Sequence, residues 1–192
     1  MVVGLTGGIG SGKTVVAKMF KALDVPVYNS DKEAKRLMKS SKKVRKSIIK
    51  LLGKNAYNGK KLNKTYISNS IFTNKDLLKK INSIVHPAVK NHFSAWVKKQ
   101  NAPYVIQETA IIFENSSEKN YDKIILVVAP KETRLERVVS RDGVSKKKVI
   151  ERMNNQWDDS IKAKKSDYVI ENIHLKDTKS EVIRIHNQLL AE

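Results

Sequence analysis

A glycine-rich segment close to the start of the chain has the residue types and spacing of a phosphate-binding loop. The run GGIGSGKT over residues 7–14 fits the pattern G-x-x-x-x-G-K-[ST] at every position. Glycines allow a tight turn in which successive backbone N–H groups converge on phosphate oxygens, and the following helix adds the positive end of its dipole. Lys13 is expected to reach the β and γ phosphates of ATP, and the Thr14 hydroxyl to bind Mg²⁺. The nucleotide-binding residues predicted on this basis are Gly8, Gly10, Ser11, Gly12, Lys13, Thr14 and Val15.

The same loop occurs in GTPases, motor ATPases and small-molecule kinases, so other features must decide among them. A GTPase usually carries Asn-Lys-x-Asp for base recognition, and the nearest match here, residues 74–77, fails at its last position. A motor ATPase is normally longer and has a strand that ends in paired acids, whereas the third predicted strand ends at Gln107-Glu108. The chain has only 192 residues, and residues 32–99 form a basic insertion. These two features favour a kinase that phosphorylates a small soluble acceptor.

Hydrophobic patterns place the loop between a strand and a helix and predict an open, doubly wound α/β sheet. The predicted strands cover residues 2–6, 25–28, 104–107, 123–128 and 168–170, and helices lie between them. Ser30 to Glu33 matches a helix capping box. From there to about residue 99 the pattern is helical with no convincing strand, with a turn at Asn58-Gly59 and an interruption at His86-Pro87.

Composition limits the function classes. The chain has no cysteine, which excludes disulfides and Cys-ligated metal sites, and no apolar run long enough for a membrane span. We therefore expect a cytoplasmic protein. The net charge is +19, and residues 32–99 hold 19 Lys and Arg against only Glu33 and Asp76. This insertion would attract polyanions, either nucleic acid or a phosphate-rich small molecule, unless its lysines only form a solvated helical surface.

Beyond the loop, the chain resembles the dephospho-CoA kinase family, which carries out the last step of coenzyme A synthesis. The motifs in order are residues 5–13, Asp31, residues 62–72 and 84–87, residues 111–114, three arginines at 134, 137 and 141, and a closing group of Gln156, Lys162, residues 167–170 and Asn172. Three departures are Asn29 where the family commonly has Asp, Ala110 where Pro is usual, and Lys64 in place of Arg. The resemblance implies a P-loop kinase core with about five parallel strands, similar to nucleoside monophosphate kinases.

The resemblance also implies roles for individual residues. Asp31 would accept or orient the proton of the acceptor's ribose 3′-hydroxyl, although it also fits a first-turn helix acid. Arg141, and after it Arg137, would stabilise the transferring phosphoryl group, unless they pair with nearby glutamates on a surface helix. Further residues are expected near a substrate: Asn172 by the adenine, unless it is only a turn residue, and His86 by the acceptor, unless it only marks a helix boundary. Lys64 and Phe113 are also expected by the acceptor, with Phe113 mainly in the core.

The predicted division assigns residues 1–31, 100–133 and 166–192 to the nucleotide-binding core, 32–99 to an acceptor-binding insertion, and 134–165 to a lid. The expected partners are ATP, Mg²⁺ and 3′-dephospho-CoA, with no nucleic acid or membrane, in a monomer or weak homo-oligomer. Three alternatives remain open at this point: a P-loop kinase for another metabolite, a basic nucleic-acid-binding ATPase, and a nucleotide-binding regulator without catalytic activity.

Overall fold

The structure is a computed structural model that describes residues 1–72 and 74–192, and of Phe72 only the backbone. The side chain that ends the resemblance over 62–72 therefore lies outside the described residues. The strands in chain order are β1 (Val2–Gly7), β2 (Val27–Asn29), β3 (Tyr57–Asn58), β4 (Lys61–Leu62), β5 (Val105–Glu108), β6 (Lys123–Val128) and β7 (Tyr168–Glu171). The helices are α1 (Lys13–Lys21), α2 (Ser30–Ser40), α3 (Lys42–Leu52), α4 (Lys64–Phe72), α5 (Lys75–Val97), α6 (Lys131–Asp142), α7 (Lys146–Met153), α8 (Asp159–Ala163) and α9 (Leu175–Leu190), with 3-10 helices at Lys54–Ala56 and Glu118–Asn120.

The chain forms two compact units. The first consists of Met1–Asn29 and Gln100–Glu192, and the second of Ser30–Lys99. The first unit contains a five-stranded sheet in the order β2-β5-β1-β6-β7, in which every neighbouring pair is parallel. This agrees with the doubly wound α/β sheet that the alternating pattern predicts.

The core of the first unit explains the apolar residues of β1 and β6. Val3 and Leu5 of β1 are fully buried, as are Ile125 and Val127 of β6, and they pack with Phe20 of α1. Ile185 of α9 belongs to the same cluster. A second cluster joins α6 and α7 through Leu135, Val138, Val149 and Met153, and Ile9 of the glycine-rich loop packs against it.

The second unit differs from the sequence prediction in two places. First, β3 and β4 form a small antiparallel hairpin around the Asn58-Gly59 turn, although the pattern indicated only helix. Strands of two residues are too short to show an alternating pattern. Second, α5 continues through Pro87, so His86-Pro87 does not interrupt it. The missing proline N–H removes one helical hydrogen bond, while Ile81, Val85 and Val89 remain buried along one side of the helix.

Neither unit contains a helix suited to crossing a membrane, as far as the described part of the chain extends.

Candidate active site

The glycine-rich loop connects the carboxyl end of β1 to the start of α1, where helix N-termini favour anions. At two positions of the loop the backbone conformation requires glycine. Gly10 has φ of 81° and Gly12, the N-cap of α1, has φ of 93°, both in the left-handed region. A Cβ at Gly10 would overlap the Arg134 carbonyl oxygen, and one at Gly12 would overlap the Asn172 side-chain nitrogen. The loop therefore needs glycine at both positions.

Lys13 lies at the first position of α1 and folds back over the loop. Its Nζ donates to the Gly7 carbonyl at 2.6 Å and to the Gly8 carbonyl at 3.3 Å. The ammonium group is thus held by backbone carbonyls at the start of the loop. A compact positive charge therefore lies beside the glycine-rich loop.

Glu108, at the carboxyl end of β5, connects the loop to β2. Its Oε1 accepts a 2.7 Å hydrogen bond from Thr14 Oγ1, and its Oε2 accepts a 2.5 Å hydrogen bond from Asn29 Nδ2. Glu108 is only 6% exposed, while Thr14 is exposed. Hydroxyl and carboxylate oxygens are the donors that Mg²⁺ prefers, so this pair fits a nucleotide-bound magnesium ion. The described residues contain no cluster of three or more His, Asp or Glu side chains that could bind a metal independently of a nucleotide.

Asn172, which follows β7, lies directly beneath the loop. Its Nδ2 donates to the Ser11 carbonyl at 2.8 Å, and its Oδ1 accepts from Thr178 Oγ1 at 3.1 Å. Its backbone carbonyl accepts from Arg137 Nη1 at 3.0 Å. Asn172 is 2% exposed, so its described contacts are those of a buried residue that supports the loop.

The other predicted arginine lies on the surface. The Arg141 side chain is 64% exposed and forms an ion pair with the adjacent Asp142, Nε to Oδ1 at 2.7 Å. This hydrogen bond lowers the pKa of Asp142 and raises the pKa of Arg141. Arg152 Nη1 lies 3.6 Å from the same Asp142 carboxylate.

The second unit holds the remaining predicted acceptor residues apart from Phe113. Asp31 is exposed in the first turn of α2, Lys64 is exposed at the start of α4, and His86 is exposed within α5. Partial desolvation lowers the pKa of His86. Phe113 belongs to the first unit, is fully buried against Ile112 and Ile124, and stacks on Trp157 with ring centroids 6.4 Å apart.

Comparison with known proteins shows which family the chain belongs to. The family model described as "CoaE: Dephospho-CoA kinase" matches residues 1–177. The chain belongs to this family. A dephospho-CoA kinase of Bacteroides fragilis is 37% identical over 171 residues, which cover 88% of this chain and 83% of that protein.

Solved structures support the same fold for this family member. The crystal structure of a Thermus thermophilus protein superimposes with a TM-score of 0.90 at 27% identity, covering 99% of this chain and 97% of the other. A dephospho-CoA kinase from Campylobacter jejuni superimposes with a TM-score of 0.65 at 22% identity, covering 98% and 96% of the two chains. The fold is therefore that of the P-loop kinases, as predicted.

Sequence reasoning gave no role to several residues that contact the loop. Arg134 Nε donates to the Ile9 carbonyl at 2.9 Å, and Ile9 N–H donates to Gln156 Oε1 at 2.7 Å. Asp159 pairs with Arg134 at 2.6 Å. The only signal for Arg134 and Gln156 was their match to family motifs, which does not specify what a side chain contacts.

Proposed function

We propose that this family member transfers the γ-phosphoryl group of ATP to the ribose 3′-hydroxyl of dephospho-CoA, giving coenzyme A and ADP. The observation that carries the proposal is the family match over residues 1–177, which includes the complete phosphate-binding loop. The geometry of the loop is compatible with this reaction, because the protein's main task in phosphoryl transfer is to position groups and to neutralise charge.

On the donor side, the loop N–H groups and Lys13 bind the phosphates. Lys13 exchanges the Gly7 and Gly8 carbonyls, at 2.6 and 3.3 Å, for phosphate oxygens. Thr14 would hold Mg²⁺ directly, and Glu108 would orient the Thr14 hydroxyl and the ion's water shell. A bound Mg²⁺ would supply positive charge that offsets the negative charge of the phosphates. Asn172 supports the loop from below, and its position after β7 fits the proposed place near the adenine.

On the acceptor side, Asp31 accepts or orients the proton of the 3′-hydroxyl. Its carboxylate is exposed in the first turn of α2, where it is accessible to a substrate. Lys64 and His86 are exposed on the same unit and would contact the phosphates or the ribose of the acceptor. Phe113 is fully buried, so its proposed part in acceptor binding is mainly packing within the first unit.

Residues 134–165 are proposed to act as the lid that excludes water from the transferring group, with the largely exposed stretch 140–148 as the part that moves, because Arg134 and Gln156 hold the flanking parts against the loop. Arg141 is the arginine of this segment that would reach the phosphoryl group on closure. Its 64% exposure leaves it available, because a single surface ion pair with Asp142 contributes little energy. Arg137 is held by the Asn172 carbonyl and would contribute positive charge near the loop.

The test is ADP release by the purified protein given Mg²⁺, ATP and 3′-dephospho-CoA. AMP, adenosine, shikimate and single-stranded DNA serve as comparison additions. We expect turnover with dephospho-CoA alone and a product with the mass of coenzyme A. Stimulation by another small acceptor would be consistent with the kinase fold and would refute the assignment of dephospho-CoA as the substrate. Stimulation by single-stranded DNA would favour the nucleic-acid-dependent ATPase that the basic residues 32–99 suggest.

The Asp31 assignment is tested separately with Asp31→Asn, which keeps the shape of the side chain and removes its charge. If Asp31 is the base, kcat falls by about 100-fold or more, with little change in the Kd for ATP. Near-normal turnover would refute the assignment of the base and leave the proposed reaction intact. Lys32→Gln, at the exposed neighbouring position, is the matched control.

A further inference from the structure

The tip of the phosphate loop is attached to the segment after β6 by both polar groups of one residue. Ile9 N–H donates to Gln156 Oε1 at 2.7 Å, and the Ile9 carbonyl accepts from Arg134 Nε at 2.9 Å. The Ile9 side chain packs against the α6–α7 cluster of Leu135, Val138, Val149 and Met153. The backbone and the side chain of Ile9 are thus held by residues 134–156.

Gln156 connects this attachment to a second loop. Its Nε2 lies 3.4 Å from the Ala110 carbonyl, in the segment that follows β5. The Gln156 backbone N–H bonds to the Met153 carbonyl at the end of α7, so the side chain projects from a fixed backbone. The next residue is fixed as well, because Trp157 N–H donates to Glu114 Oε1 at 3.1 Å and its ring stacks on Phe113.

Arg134 provides the second attachment and is itself fixed. Its side chain is 11% exposed, and its Nη1 is 2.6 Å from Asp159 Oδ2. The guanidinium also covers Gly8, where an added Cβ would overlap Nη2. One planar group therefore holds the Ile9 carbonyl and the α8 carboxylate, and it leaves no room for a side chain at Gly8.

We propose that Gln156 and Arg134 are positioning residues for ATP binding: they hold Ile9 so that the other N–H groups of the loop keep the arrangement that receives phosphate. The inference rests on the proposed use of this loop for ATP. Neither side chain needs to touch the nucleotide. A freely moving loop would have to be ordered on binding, whereas a loop held at its tip loses less conformational entropy.

The main test is Gln156→Leu, which removes the acceptor for Ile9 N–H at similar volume. Asn155→Leu is the matched control, since Asn155 is exposed and bonds only locally to the Glu151 carbonyl at 3.0 Å. Three quantities are measured: the exchange rate of the Ile9 amide hydrogen by NMR, the Kd for ATP by calorimetry, and kcat and KM. The first two require no acceptor, so they remain informative even if dephospho-CoA is not the substrate.

In Gln156→Leu we expect the Ile9 amide to exchange at least about tenfold faster, and the Kd for ATP to rise about three- to tenfold, as loss of one net hydrogen bond implies. The KM for ATP should rise in parallel with kcat changed less than about twofold, because the loop binds phosphate in the ground state and in the transition state alike. Asn155→Leu should leave all of these values unchanged.

Arg134→Lys gives a second and independent test if Gln156→Leu folds poorly. Lysine keeps the charge opposite Asp159 and loses the planar fork, so the Kd for ATP should again rise about three- to tenfold. The proposal is overturned if Ile9 exchange is unchanged in Gln156→Leu, if ATP binds with unchanged affinity in both variants, or if Asn155→Leu has the same effect as Gln156→Leu.

Discussion

The buried ion pair between Lys162 and Glu114 allows a quantitative prediction. Lys162 of α8 is fully buried, the Glu114 side chain is 12% exposed, and Lys162 Nζ lies 2.7 Å from Glu114 Oε1. Replacing Lys162 by Met roughly keeps the length of the side chain and removes its charge. The Glu114 carboxylate is then left buried beside an apolar group. Removal of one member of a buried pair costs about 3–5 kcal/mol, so we expect a loss of this size in the free energy of unfolding.

The double variant Lys162→Met/Glu114→Leu should recover most of this loss. Glu114 Oε2 has no hydrogen-bond partner within the described part of the chain, so the pair does not fully offset its own desolvation. The Trp157 N–H that bonds to Glu114 belongs to a residue that is 41% exposed, and water can replace that partner. We therefore expect the double variant to lie within about 2 kcal/mol of the unchanged protein.

The assay is urea unfolding followed by far-UV circular dichroism, with thermal unfolding as a second measure. A loss of about 3–5 kcal/mol corresponds to a fall in Tm of roughly 6–20 °C for a chain of this size. Lys164→Met is the matched control, because Lys164 is exposed two residues away and should change stability by less than about 0.5 kcal/mol. Equal effects of Lys162→Met and Lys164→Met would refute the reasoning, as would a double variant no more stable than Lys162→Met.

Three further changes test other features. Gly12→Ala combines a left-handed φ of 93° with overlap against Asn172, so it should weaken ATP binding by at least about tenfold and lose more stability than backbone strain alone explains. Gly143→Ala, at a left-handed φ of 62° with nothing within 4 Å of an added Cβ, is the control and should lose only about 1–2 kcal/mol through backbone strain. Similar losses of stability in the two variants would contradict the overlap. Asn29→Asp replaces the 2.5 Å hydrogen bond to Glu108 with two facing carboxylates, so it should lower the free energy of unfolding at pH 8 by about 1–3 kcal/mol. Added Mg²⁺ should restore part of this loss. A Tm of the variant that does not respond to Mg²⁺ would count against a magnesium site at Thr14 and Glu108. Burial raises the pKa of Tyr121 to about 12, so its neutral form is favoured in the folded state and stability is lost as the pH rises from about 10 to 12. Burial also raises the pKa of Tyr104, so the test is the difference between the two proteins: at pH 11 Tyr121→Phe should lose about 1 kcal/mol less than the unchanged protein, and an equal loss in both would refute the assignment.

The elements that the sequence predicts well are those encoded by local pattern. The strand predicted over residues 123–128 is β6, because the five consecutive apolar residues 124–128 suit a strand inside a parallel sheet. The loop over residues 7–14 follows from glycine conformation and helix polarity, which are also local. The β3–β4 hairpin and the passage of α5 through Pro87 were not predicted, because tertiary packing decides both.

The contacts around the loop also depend on tertiary packing, which the local sequence does not predict. Lys13 and Thr14 can be assigned from spacing, but their partners come from distant parts of the chain, as with Thr14 and Glu108. Asn172 was expected near the adenine because it follows the last strand, and nothing in its local sequence indicated a bond to the Ser11 carbonyl. Pairing between distant residues depends on strand order, which hydrophobic periodicity does not specify.

Strand order also has a consequence for how the chain folds as it is synthesised. β1 emerges first, yet both of its neighbours, β5 and β6, are made only after residues 30–99. β2 likewise waits for β5. The second unit, Ser30–Lys99, is one continuous stretch and can form its own contacts as it emerges. In the first unit, β1 must stay unpaired while residues 30–99 are synthesised. We therefore expect the phosphate loop to become structured late, and the apolar residues 2–6 to be the segment that depends most on chaperones during translation.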